Sequence, residues 1–263
     1  MSRRISAFEK RIHEVDFIRG LMMLLVIMDH VFWSLKAYGK VWYDGTGIEF
    51  FNVQYQIFNF YWISASRTII RQIVLFGFVF VSGISCGFSK NNWKRAGIML
   101  LVAFVLAIVT NILQAEMGND TQVYTMEFNV IAVLAWSCLI YCFVQNRSWK
   151  AIVATGLIGL LITTTVIPSL QALPHSANAY VPSLWLPKKA EADWMPLFPY
   201  FCYFFGGAAL TRFLYPNKQS LFTRHEFERP FCFVGRHAIW VYLGHEPLLV
   251  IICLVLNAII LGA

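Results

Sequence analysis

Charge is what this sequence has least of. Of its 263 residues only 13% are Asp, Glu, Lys or Arg, while 58% are hydrophobic. Soluble domains carry about 25% charged residues, and a chain this long could not cover a water-facing surface with half of that. Glycine and proline are also sparse, at 16 and 9, which excludes collagen-like and low-complexity classes. The six cysteines sit in or beside apolar stretches without a pairing pattern, so no disulfide framework is expected. Cys138 and Cys142 share a helix face at i, i+4, and they read as small apolar filler rather than metal ligands. There is no phosphate-cradling glycine loop, no HExxH, no CxxC and no serine-centred nucleophile elbow. The apolar run from Phe17 continues into a loop without a small-residue cleavage site, so no cleavable signal is expected.

What the chain does have is long apolar runs and aromatics, with 23 Phe, 11 Tyr and 9 Trp. A helix crosses the hydrocarbon core in about 20 residues. Stretches at 17–38, 67–88, 96–115, 125–145, 150–171, 194–214 and 233–262 meet that requirement. The expected fold is therefore all-α: one polytopic transmembrane helix bundle of seven spans, spread over a single domain, residues 1–263. An eighth span arises if the last stretch, which carries Pro247, is kinked or split.

Lys and Arg set the orientation. Arg3, Arg4, Lys10, Arg11, Arg19, Lys90, Lys94, Arg95, Arg147 and Lys150 fall on one side of these spans, with Arg212, Lys218, Arg224, Arg229 and Arg236. Lys36, Lys40, Arg67, Arg71, Lys188 and Lys189 fall on the other. The positive-inside rule then puts the N-terminus in the cytoplasm. The net charge of +7 needs no nucleic-acid partner. Two long exterior loops are expected: Gly39–Ser66, rich in aromatics and amides, and Gln171–Asp193, which contains Pro174, His175, Asn178, Tyr180, Pro182 and Trp185. Such residues serve either as interfacial anchors or as a sugar-binding platform.

Ionisable residues inside spans are costly and mark candidate sites. The first span carries Asp16, Arg19, Asp29 and His30. Eleven residues separate Arg19 from His30, which puts them on one helix face about 16 Å apart. An arginine at the membrane edge suits a phosphate, and a histidine deeper on the same face suits a general base. The last span repeats the arrangement with Arg236, then His245 and Glu246 before Pro247. Arg67 and Arg71 open the second span at i, i+4, either snorkelling to the interface or holding a polar acceptor. Asn129 begins the fourth span, as a helix hydrogen bond or part of a polar cavity. Asp193 reads as a helix cap.

Val15-Asp16-Phe17-Ile18-Arg19-Gly20 followed by Asp29-His30 resembles the opening helix of the heparan-α-glucosaminide N-acetyltransferase catalytic-domain family, part of the transmembrane acyltransferase superfamily. The Arg-x10-His spacing is shared with the membrane acyltransferase type 3 family. Segments Arg67–Ser85, Asp193–Tyr200 and Val234–Pro247 agree in order, so the resemblance covers residues 12 to 250. It implies an acyl group carried on cytoplasmic acetyl-CoA or another acyl-CoA and delivered to a sugar amine or hydroxyl across the membrane. His30, Asp29 and His245 would be catalytic, and Arg19, Arg236 and Asp16 would hold the donor. Arg67, Arg71, Asn129 and Glu246 would face the acceptor. No metal is expected. The expected setting is a bacterial inner membrane, with acyl-CoA, a glycan, lipid and a second copy of the chain as partners. Where small bacterial relatives place a histidine in the fourth span, this chain has Ala132. Two other readings use the same residues: a proton-coupled carrier of a small solute, and a non-catalytic membrane scaffold or sensor.

Overall fold

A computed structural model describes residues 12–117, 126, 128–171 and 195–262. Among these the secondary structure is helical throughout, with no strand. The helices are α1 (His13–Thr46), α2 (Glu49–Ile63), α3 (Ala65–Phe88), α4 (Asn92–Met117), α5 (Val130–Val144) and α6 (Trp149–Leu161). A π-helical turn, Ile162–Val166, joins α6 to α7 (Ile167–Gln171). Then come α8 (Tyr200–Leu214), α9 (Arg229–Arg236) and α10 (Ala238–Leu261). All seven apolar stretches carry helix. Among the described residues four helical segments are both long and apolar enough to cross a membrane: Ala65–Phe88, Asn92–Glu116, Trp149–Ser169 and Ala238–Leu261. Apart from Gln171, which ends α7, the expected loop Gln171–Asp193 and its Asp193 cap lie outside the described residues.

Two expectations are corrected. Gly39–Ser66 is not a loop: α1 runs on to Thr46, and α2 fills most of the remainder. At 34 residues α1 is about 50 Å long, well beyond a hydrocarbon core of about 30 Å. It ends where Gly47 takes φ +69° and donates its N–H to the Tyr43 carbonyl at 2.8 Å, a left-handed C-terminal stop. The last apolar stretch does divide, but at His237 rather than at Pro247, which lies inside α10.

The chain forms two compact units, divided within α3. The first comprises residues up to Phe78 and from Gln219 onward. In it α1 packs on α9, α2 and α10. The α1–α9 crossing is a glycine-on-glycine contact: a Cβ at Gly20 would stand 1.9 Å from the Phe231 carbonyl oxygen, and one at Gly235 would stand 1.8 Å from that of Asp16. Small residues let backbones approach in this way where lipid supplies no hydrophobic drive between helices. Farther along, Trp42 Nε1 donates to Asn257 Oδ1 at 3.2 Å, tying α1 to α10.

The second unit spans Val79–Lys218. It repeats the device: a Cβ at Gly83 would meet the Phe204 carbonyl oxygen at 2.0 Å, and one at Gly207 would meet that of Phe80 at 2.0 Å. Tyr141, Phe204, Phe205, Val133 and Cys138 are fully buried there. The outward residues of α4, such as Leu101, Phe104 and Ile112, are exposed and apolar, as a lipid-facing surface requires.

Candidate functional site

Both groups of ionisable residues from the chain's two ends meet in the first unit. On α1, His30 Nδ1 lies 2.8 Å from the Val26 carbonyl. On α10, His245 Nδ1 lies 2.6 Å from the Tyr242 carbonyl. A carbonyl only accepts, so in each ring Nδ1 is the donor and Nε2 is the nitrogen turned toward Glu246. His30 Nε2 faces Glu246 Oε1 at 3.2 Å, and His245 Nε2 faces the same oxygen at 3.9 Å. The two imidazoles stand edge to face with centroids 4.9 Å apart. The side chains of His30 and Glu246 keep 28% and 32% of their exposure, whereas that of His245 keeps 5%. The cluster is therefore a reachable pair backed by a buried histidine.

Asp29 takes a different place from the one expected. Neighbours on a helix point about 100° apart, and Asp29 turns away from His30 to accept two hydrogen bonds from Arg67. These run from Nε to Oδ1 at 2.8 Å and from the terminal nitrogen to Oδ2 at 2.7 Å. The Tyr61 hydroxyl adds a third at 3.1 Å. Burial and the Asp29 charge push the Tyr61 phenol above its usual range, which keeps it a donor. The Arg67 guanidinium also lies over the Trp62 ring, 3.5 Å from its centroid. The carboxylate beside His30 is Glu246, and Asp29 anchors α1 to the start of α3. Arg71, one turn on from Arg67, is exposed.

At the other end of α1, Arg19 donates to Asp16 Oδ1 at 3.2 Å and to the Gly235 carbonyl at 3.1 Å. Arg236 follows Gly235 and donates from Nε to the Cys232 carbonyl at 3.0 Å. The two arginines thus flank the glycine crossing. Beside them lies a polar group that the sequence did not reveal. Glu14 accepts from the Leu221 N–H at 2.8 Å and from the Ser220 hydroxyl. His13 Nδ1 lies 2.8 Å from the Ser220 oxygen, and its Nε2 lies 3.5 Å from Glu228. These contacts pin the segment after Gln219 onto the start of α1. No local signal marked them, because partners so far apart in the chain leave no spacing to read.

Asn129 belongs to the second unit, where it caps α5. Its Oδ1 accepts from the Ile131 and Ala132 amides at 3.0 and 3.1 Å, and the residue is 1% exposed. The Asn129 Nδ2 has no hydrogen-bond partner among the described residues. The cap alone gives Asn129 a structural role: Asn129→Ala should cost about 1 kcal/mol of stability, read as a lowered melting temperature of the purified protein. Asn129→Ser should restore part of the loss, since Ser caps comparably without burying a charge.

Comparison with known families gives one result. The family model described as heparan-alpha-glucosaminide N-acetyltransferase, catalytic, matches residues 11–247. No curated protein and no solved structure matches the chain.

Proposed function

Since the chain belongs to the heparan-alpha-glucosaminide N-acetyltransferase catalytic family, a family of membrane acetyltransferases, we propose that it moves an acetyl or short acyl group from acyl-CoA to an amine or hydroxyl of a sugar. The observation that carries this reading is the pair His30–Glu246. An imidazole whose Nδ1 is fixed on a carbonyl offers Nε2, in its neutral form, as the basic nitrogen beside a partly exposed carboxylate. The acyl-CoA supplies an activated thioester carbon. The chain's residues do the rest. The sugar's N–H or O–H would enter at Glu246, which accepts a hydrogen bond from it and aims it at His30. His30 Nε2 takes the proton as the new acyl bond forms, and the proton leaves on the departing thiolate. His245, buried behind them, holds its ring against His30 and limits its rotation. General-base assistance of this kind contributes about 10²–10⁴-fold.

Arg19 and Arg236 would receive the phosphates of the donor at the cytoplasmic end, with Asp16 orienting Arg19. The roughly 16 Å along α1 from Arg19 to His30 suits a long pantetheine arm. Arg67 would act by holding Asp29 and Tyr61 in place, and exposed Arg71 would meet the acceptor. A bacterial inner membrane, oriented by the positive-inside rule, is the proposed setting.

The test is acyl transfer by the protein reconstituted in lipid vesicles, with acetyl-CoA and a panel of amino sugars and neutral sugars. Arg19→Ala should raise the KM for acyl-CoA by about 10–100-fold, as expected for a lost hydrogen bond to a charged group, with kcat little changed. A lowered kcat with an unchanged donor KM would remove Arg19 from the donor site. Saturable solute uptake without any acyl transfer would replace the reading with transport.

A further inference from the structure

Three electron-pair donors converge at His30, His245 and Glu246. Their ligand atoms, two imidazole Nε2 and one carboxylate oxygen, all lie within 4.8 Å of one another. We propose that these three side chains form a site for one divalent transition-metal ion of the Zn2+ class, and that the bound ion blocks His30. The proposal rests on the acyl-transfer reading only for that inhibitory effect; binding of the ion stands apart from it.

Several features fit. Both rings are already oriented as metal-binding histidines usually are, with the far ring nitrogen donating to a backbone carbonyl, Val26 for His30 and Tyr242 for His245. That second bond fixes the tautomer and presents the other nitrogen to a metal. Tetrahedral coordination with bonds of about 2.0–2.1 Å separates ligand atoms by about 3.3 Å. The His30–Glu246 separation of 3.2 Å already matches, while the His245–Glu246 separation of 3.9 Å and the remaining histidine pair, within 4.8 Å, close as the side chains turn toward the ion. Two imidazoles and one carboxylate favour Zn2+, Co2+ or Ni2+ over Mg2+ or Ca2+, which prefer all-oxygen sites.

Three protein ligands leave a fourth position for water or substrate, and the partial exposure of His30 and Glu246 gives the ion a way in. Asp29 does not join the set, because both its oxygens are held by Arg67. The sequence concealed the site: His30 lies near one end of the chain and His245-Glu246 near the other, so no metal-ligand spacing appears. A metal on His30 Nε2 occupies the lone pair that a general base would use, so occupancy and catalysis exclude each other.

The experiment titrates the full-length, detergent-purified protein with Zn2+ after chelator treatment. Co2+ serves as an optical probe, and elemental analysis gives the stoichiometry. One ion per chain is expected, with the visible Co2+ absorption of a tetrahedral site bearing nitrogen ligands. Glu246→Gln keeps the side-chain shape and should weaken binding by about 100-fold or more, since even outer-shell losses cost 10–100-fold. His245→Ala should do the same, whereas the control His237→Ala, at an exposed histidine, should not.

Unchanged affinity in Glu246→Gln and His245→Ala would overturn the site, as would loss of binding in His237→Ala. A variant's fold is checked by its apo melting temperature, and Glu246→Gln serves if His245→Ala fails to fold. In the transfer assay Zn2+ should inhibit and a chelator should restore activity. Transfer that persists with the metal bound overturns the blocking role. Absence of transfer even without metal refutes the acyl-transfer reading and leaves the binding result standing.

Discussion

His30→Ala should reduce acyl transfer by about 10²–10⁴-fold, the contribution of a positioned general base, while the protein still purifies as a folded species. The fold should survive because the His30 side chain is partly exposed, and its hydrogen bond runs only to Val26, one turn back on its own helix. The helix that carries it is held by other contacts: Asp29 with Arg67, Trp42 with Asn257, and the crossing at Gly20. Steady-state rates at saturating acyl-CoA separate this effect from weakened donor binding. Wild-type rates in a folded His30→Ala protein would eliminate His30 as the base. Glu246→Gln offers a graded comparison, because it keeps a hydrogen-bond acceptor beside Nε2 but removes the charge.

The largest effect on stability is expected at the α1–α9 crossing. Gly235→Leu places a Cβ 1.8 Å from the Asp16 carbonyl oxygen and 2.9 Å from the Gly20 nitrogen. Both obstacles are main chain, so no rotamer change relieves them and the helices must separate. Overpacking that side chains can absorb costs about 1–3 kcal/mol, and a backbone clash should cost more than about 3 kcal/mol by the same reasoning. The separation would also displace the Gly235 carbonyl from Arg19 and disturb the donor end of the site. The expected outcome is loss of the monodisperse peak on gel filtration, or a sharply lowered melting temperature. Gly97→Ala is the control, since a Cβ there meets nothing within 4 Å. Equal behaviour of the two variants would show that the crossing is not close-packed in the membrane.

The glycines at this crossing carry a message that composition alone does not. Gly20 and Gly235 look unremarkable in sequence, each one residue after or before an arginine. Only their pairing shows that each is required at a backbone contact. The same holds for Gly83 and Gly207 in the second unit. A glycine's Cβ is excluded by whatever lies across from it, and the sequence does not say what lies across.

Composition by itself determined the helical, membrane-suited character of the chain, because 58% hydrophobic residues with 13% charge admit little else. Apolar run length located the helices other than α2 and the far end of α1, and the spacing of Arg19 and His30 put both on one face of α1, since helix periodicity is a local property. The four motif segments were enough for the family. Tertiary structure alone decided the partners. It gave Asp29 to Arg67 and Tyr61, put Glu246 on His30, made Asn129 a cap, and bound the start of α1 to Ser220 and Leu221. It also broke the last apolar stretch at His237 and carried α1 far past the length needed to cross a bilayer. The reason is the same in each case. Local sequence fixes which face of a helix a side chain occupies, but the energy of a charge in a low-dielectric interior depends on its partner, and that partner comes from another part of the chain.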